Sequence, residues 1–312
     1  MGCFLSKKTL RTAEIVRPVE VSAIVAAEVD GSFDLTDELL GTGATSKVWL
    51  ASFGDEKVKV AAKVCSKKQM DAEDLKSVRE EIALHRTLNH RNIVKLHAAK
   101  ETEISVSLVL QLCNGGSLVD TMEKSRLSES PLSEGYVRAA FTQLLDAILY
   151  LSSLGIHHLD IKLANGCWVD ASRTHLVLID FGHATTRELH SEFIGTAQFA
   201  APEVQLAATE AKLERSDKPG AFARFAAGPA DVWSLGVVLY AMLATALPFD
   251  GEEDTCEERK VLREKVCAGK WDAPLQRPKA AKDLCQRMLT VSVKKRASLK
   301  AVKAHVWVQA AG

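Results

Sequence analysis

This 312-residue chain has no excess of either charge: 40 Lys and Arg stand against 40 Asp and Glu, a formal net charge of zero. Without a global field to attract a polyanion, nucleic acid is not an expected partner. Cysteine is sparse and irregular. The seven residues show no C-x-x-C spacing and an odd count, which argues against a disulfide framework or structural zinc and suits a reducing cytosol. No N-terminal segment has the apolar core of a secretory signal peptide, and no D-x-[DN]-x-[DN]-G calcium loop occurs. Long uncharged runs are equally scarce. The one from Val232 to Phe249 has 18 residues, the lower limit for a membrane span. It carries Ser234, Gly236, Tyr240 and Pro248 between Asp231 and Asp250, and reads as a buried core helix. The remaining composition, 47% hydrophobic and 26% charged, suits a soluble two-lobed protein.

The stretch from His157 to Gly182 carries most of the chemistry. Two short apolar runs, Cys167 to Val169 and Leu176 to Ile179, flank the polar segment Asp170 to Thr174, the pattern of a tight hairpin. Such a hairpin brings Asn165 and Asp180 to adjacent strand ends. Their side-chain oxygens suit a hard cation such as magnesium held against phosphates. Asp160 lies close enough to accept a proton from an incoming hydroxyl. Farther upstream, residues 72–88 have helical spacing, and Glu81 projects into an apolar arc with Val78, Ile82, Leu84, His85 and Leu88. A carboxylate there requires a partner, because an unpaired buried charge is costly.

His158, Asp160, Asn165, Asp180, Phe181 and Gly182 together resemble the eukaryotic protein kinase family, whose catalytic loop reads H-R-D-x-x-x-x-N and whose metal loop reads D-F-G. Leu159 departs from the usual Arg. The resemblance implies an α+β, bilobal protein kinase fold. A small, mostly antiparallel β N-lobe with one key helix would cover about 33–112, a hinge 111–117, and a larger, mostly α-helical C-lobe 118–309. It also implies ATP and magnesium as cofactors and protein Ser/Thr hydroxyls as acceptors. The glycine-rich loop from Leu40 through Gly41 and Gly43 to Ser46 and Val48 would cover the phosphates, Ser46 replacing a third glycine. Lys63 would hold the α and β phosphates and pair with Glu81. Backbone groups around Gln111 to Cys113 would bond adenine, with Leu110 behind it and Val48, Ala61 and Cys167 on its faces. Asp180 and Asn165 would hold the metal, Asp160 would accept or orient the hydroxyl proton, and Lys162 would neutralise the γ-phosphate. Lys162 and Thr196 favour Ser/Thr over Tyr acceptors. The segment Gly195 to Glu203 resembles the end of a kinase activation segment, and Glu203 would pair with Arg296.

Finer expectations follow. Leu247 to Asp250 and His305 to Trp307 resemble the calcium/calmodulin-dependent and checkpoint kinase group. Leu159 removes the cation that would read a phosphorylated loop, so activity is expected not to depend strongly on such phosphorylation. Ala164 and Ser117 stand where acidic contacts are frequent, so no strong preference for basic substrates is expected. Residues 207–228, rich in Ala, Gly and mixed charge, read as an exposed insertion. The chain stops soon after Trp307, leaving nothing for an autoinhibitory helix. Within the head, residues 1–32, Met-Gly-Cys-Phe-Leu-Ser matches the myristate pattern on Gly2, with Cys3 available for palmitate and Lys7, Lys8, Arg11 and Arg17 adding positive charge. That predicts a peripheral protein on the cytosolic face of a membrane, the plasma membrane foremost. The rival readings are a catalytically weak pseudokinase acting as a membrane-tethered scaffold and a small-molecule kinase.

Overall fold

The computed structural model describes residues 32–310 apart from 44, 214–223, 252–254, 272–274 and 276. For 208–213 and 256 it describes the backbone alone. Gly2 and Cys3 of the expected acylated head lie outside these residues.

The N-terminal lobe is a five-stranded antiparallel sheet built from β1 (Phe33–Thr42), β2 (Ser46–Phe53), β3 (Val58–Ser66), β4 (Leu96–Glu101) and β5 (Ser105–Gln111), in the order β1-β2-β3-β5-β4. Helix α1 (Ala72–Arg86) interrupts it between β3 and β4. Asp71 starts α1 through a capping box, accepting from the Glu73 and Asp74 N–H groups while Asp74 accepts from its own. Register sets the two faces of the sheet, because partners and every second residue share a side. The pairs Val48 with Lys63 and Ala61 with Leu110 put these four side chains on one face. Ala51, Val60, Ala62, Ala98 and Val109 form a small core. A second cluster, including Ile82 of α1 and Leu108 of β5, seats the helix on the sheet.

The C-terminal lobe begins with α2 (Leu118–Leu127) and α3 (Glu134–Ser153), followed by the hairpin of β6 (Gly166–Trp168) and β7 (Leu176–Leu178). Then come β8 (Leu189–His190), α4 (Pro202–Leu213), β9 (Phe225–Ala226), α5 (Ala227–Ala244), α6 (Cys256–Ala268), α7 (Lys279–Met288), α8 (Leu299–Lys303) and α9 (Val306–Gln309). The run that reads as a core helix is α5. It is long and apolar enough to cross a membrane by length and composition, yet 83% of it is buried inside the protein. The chain end closes over this lobe through Trp307, whose indole donates to Glu134 at 2.7 Å beneath the Arg138 guanidinium.

Most of the segment 207–228, read as an exposed insertion, lies outside the residues described with side chains; at its borders α4 runs on to Leu213 with Ala207 buried, and Phe225 and Ala227 are buried where the chain returns. The return segment also forms β9, which pairs with β8 in a stretch lacking periodicity: a two-residue ribbon is too short to show alternation.

Glu203 and Arg296 meet as expected in a two-pronged contact, 2.6 Å from Nη1 to Oε1 and 2.8 Å from Nη2 to Oε2. The guanidinium also donates to the Thr290 and Pro229 carbonyls and lies over the Trp233 ring. It joins the start of α4, the start of α5 and the loop after α7. Removing one member of a buried pair strands the other charge, so Arg296→Leu should lower stability by about 3 kcal/mol, read as a reduced urea midpoint with an unchanged slope.

Candidate active site

The catalytic loop is fixed from beneath. Asp231, in the first turns of α5, accepts the His158 N–H at 2.9 Å and the Leu159 N–H at 2.8 Å on separate carboxylate oxygens. Burial pushes its carboxyl up to about 7, and the two backbone donors oppose that rise. Between them the bonds hold Leu159 at φ 59°, a left-handed conformation costing a leucine about 1–2 kcal/mol. The Leu159 side chain is buried in the main core, where the usual arginine would need a partner. Gly195, at φ 92°, presses against this bend, and a Cβ there would lie 2.3 Å from the Leu159 carbonyl oxygen. His158 is a neutral tautomer by its bonds: Nε2–H faces the Ile179 carbonyl at 3.3 Å and Nδ1 accepts the Asp160 N–H at 3.3 Å.

Above this frame the expected residues converge. Asp160 is paired with Lys162 at 2.7 Å and accepts the Thr196 hydroxyl at 2.8 Å, while Lys162 donates to that hydroxyl at 3.0 Å. Asn165 donates Nδ2–H to the Asp160 carbonyl and carboxylate, leaving its Oδ1 clear of these bonds. The β6–β7 hairpin forms as read, and the Ile179 N–H bonds the Asn165 carbonyl, placing Asp180 beside Asn165. Across the cleft, Lys63 meets Glu81 at 2.9 Å and Asp180 at 3.1 Å. Burial opposes the lysine charge, but the two carboxylates outweigh it and hold the ammonium above its ordinary range. Burial would likewise raise Asp180, and Lys63 reverses this, keeping the carboxylate ionised. An ionised Asp180 oxygen and an amide oxygen from Asn165 fit magnesium, which takes few protein ligands and completes its shell with phosphate and water.

The nucleotide-binding candidates border the same cleft. Val48, Ala61 and Leu110 share the Lys63 face of the sheet, and Cys167 on β6 and Cys113 in the hinge are half-buried. Burial pushes the Cys113 thiol up to about 11 and the Cys167 thiol up to about 12. The glycine-rich turn closes with the Gly43 N–H on the Ser46 carbonyl at 2.8 Å. A Cβ on Gly43 would stand 3.0 Å from Ser46 Oγ, whereas one on Gly41 would meet nothing within 4 Å, leaving open space on that side of the loop. After Gln111 the chain reaches Gly115, where a Cβ would collide with the Asp170 carbonyl oxygen at 2.1 Å.

Sequence reading missed three contributors. Asp231 appears in the sequence only as the boundary of an apolar run, and an acid opening an otherwise uncharged buried helix is the signal that could have found it. Thr196 appears as a substrate-class hint, not as the bridge between Asp160 and Lys162. His85, one turn after Glu81, is buried, donates Nε2–H to the Val94 carbonyl at 2.8 Å and meets the Phe181 ring at a 45° tilt with centroids 4.7 Å apart.

A glycine-rich β-hairpin, a lysine–glutamate pair and an aspartate–lysine–asparagine loop between two lobes define the phosphate-transferring class, and the protein kinase domain family matches residues 35–308, so the chain belongs to that family. Serine/threonine-protein kinase SIK2 of Gallus gallus is 32% identical over 283 residues, covering 90% of this chain and 32% of that relative. Serine/threonine-protein kinase SIK1 of Mus musculus is also 32% identical over 283 residues, at 90% and 33% coverage. Maternal embryonic leucine zipper kinase of Xenopus tropicalis is 31% identical over 276 residues, at 87% and 38%. The chain thus spans about a third of the length of these relatives.

Burial depresses both His85 and His158 to about 4. Their neutral forms are favoured in the folded state, so the unfolded chain binds more protons below pH 6.5 and stability falls as pH drops from 6.5 toward 4. Urea midpoints between pH 7 and 5 should decline, and His85→Leu should remove about 1–2 kcal/mol of that decline.

Proposed function

We propose that this chain is a serine/threonine protein kinase that transfers the γ-phosphoryl group of ATP to a protein hydroxyl and is tethered to a membrane by N-terminal acylation. The convergence of Asp160, Lys162 and Thr196 on one loop, facing the Lys63, Glu81 and Asp180 cluster, carries the catalytic reading. In this reading Leu40, Gly41, Gly43 and Ser46 cover the phosphates, Lys63 holds the α and β groups, and Gln111 to Cys113 offer backbone groups to adenine. Val48, Ala61 and Cys167 enclose the base. Magnesium, when bound, neutralises triphosphate charge, and Asp180 and Asn165 are the residues to hold it. The acceptor oxygen bonds to the γ-phosphorus as the bond to the β–γ bridging oxygen breaks. The hydroxyl proton passes to Asp160, and ADP leaves. Lys162 faces the transferred group. Positioning and charge stabilisation carry most of such a reaction.

The Lys162–Thr196 bond supports a Ser/Thr acceptor, as do relatives named serine/threonine-protein kinases. Leu159, buried and uncharged, supports activity without loop phosphorylation. Purified protein should transfer radiolabelled phosphate to a degenerate Ser/Thr peptide array, and Asp160→Asn should reduce this by about 100-fold or more. Thr185→Ala, Thr186→Ala and Ser191→Ala together should retain most activity. Transfer unaffected by Asp160→Asn would refute the enzyme reading, and its abolition by the triple change would refute phosphorylation independence.

Tethering rests on the Met-Gly-Cys-Phe-Leu-Ser start and its neighbouring lysines and arginines. One myristoyl chain binds only marginally, and Cys3 with the basic residues offers the second signal. Fractionated at about 1 M salt, which screens attraction between exposed charges and headgroups, Gly2→Ala should move the protein from the membrane fraction to the soluble fraction; an unchanged distribution would refute the tether.

A further inference from the structure

The neutral chain hides a strong local asymmetry. From residue 273 to 312 it carries nine Lys and Arg against the single acid Asp283, so the remainder is correspondingly acidic. Four of these cations are engaged: Arg277 with the Leu243 and Leu132 carbonyls, Arg287 with Asp283, Arg296 with Glu203 and Lys303 with Asp146. Lys279, Lys282, Lys294, Lys295 and Lys300 are exposed.

The elements that carry these lysines are tied to one another. On α7, Ala281, Leu284, Cys285 and Met288 are buried. At about 100° per residue, Lys279, Lys282 and Arg287 then fall on the opposite, outward arc. The Ala297 N–H bonds the Arg287 carbonyl, and Asp283 bonds both Arg287 and His305, so the loop after α7 and the turn into α9 are tied to that helix. Asp283, the one acid of the segment, is thereby bonded to Arg287 and His305. Exposed valines are interleaved with the lysines. Val291 and Val293, 37% and 36% exposed, immediately precede Lys294 and Lys295, and Val306 is 69% exposed beside His305.

We propose that this face of the C-terminal lobe binds an anionic phospholipid surface, with the lysines meeting headgroups and the valines entering the interface. Each lysine near an anionic leaflet raises partitioning roughly fivefold, so several on one face bind appreciably without any acyl chain. A single-stranded nucleic acid fits less well, because such sites stack bases on aromatic rings. Between residues 277 and 310 the one Phe, Tyr or Trp is Trp307, which is buried. This surface goes beyond the acyl tether and does not require it.

The test uses the full chain made without acylation, mixed with vesicles of phosphatidylcholine alone or with about 30% phosphatidylserine. Sedimentation should show binding only to the anionic vesicles, weakened by added salt. Lys294→Glu, Lys295→Glu and Lys300→Glu together should lower partitioning tenfold or more, with peptide phosphorylation and the thermal midpoint unchanged. Val291→Ser with Val293→Ser should lower it severalfold while leaving its salt dependence. Equal binding by wild type and the lysine variant would overturn the proposal, as would failure of the wild type to bind. Tighter binding to a single-stranded RNA oligonucleotide than to the vesicles would also overturn it. Because the protein in this assay carries no acyl group, its outcome is separate from that of Gly2→Ala.

Discussion

The geometry of the candidate site depends on one carboxylate that lies beneath it, on α5. Asp231 takes two consecutive backbone N–H groups of the catalytic loop, one on each oxygen, and a hydrogen bond contributes about 0.5–1.5 kcal/mol net. Together the two offset the about 1–2 kcal/mol needed to keep Leu159 left-handed. Once it exists, Asp160 is aimed at Lys162 and Thr196, and His158 is locked as a neutral ring between Asp160 and Ile179. Because Asp231 projects from a helix that is 83% buried, the reference frame for the chemistry is an element enclosed by protein.

The other half of the site is joined to this frame by backbone pairing. Leu178 and Val94 bond through Val94 N–H to the Leu178 carbonyl, and Val94 in turn receives His85 from α1. The helix carrying Glu81 and the strand leading to Asp180 therefore share a connection besides Lys63. The ion cluster then has to hold only side chains, since the backbones are already placed.

Much of this was legible in the sequence because it rests on short-range periodicities. A 3.6-residue arc turns Glu81 inward, and two apolar runs about a polar turn fold Asn165 against Asp180. Glu203 with Arg296 followed from family resemblance and formed with two-pronged geometry. Contacts between distant elements left no such trace. Asp231 lies more than seventy positions from His158, and nothing local marks it as an acceptor for that backbone. The left-handed Leu159 runs against the preference of its residue type and exists only through tertiary bonds. The β8–β9 ribbon is too short to alternate, and the alanines of α4 read equally well as loop.

The collision that makes Gly115 obligatory also limits where the lobes can move. Asn114 and Gly115 donate to the Val169 and Trp168 carbonyls, and Gly116 accepts from Trp168, so the chain from Asn114 onward travels with the β6–β7 hairpin. Gln111 is paired with Val60 and bonds the Lys95 carbonyl, so it travels with the sheet. Only Leu112 and Cys113 lie between. Any opening of the cleft is confined to a two-residue swivel, whose backbone groups, among the described residues, bond to neither lobe. A base seated there would bridge both sides of the swivel and stiffen the joint about which the cleft turns.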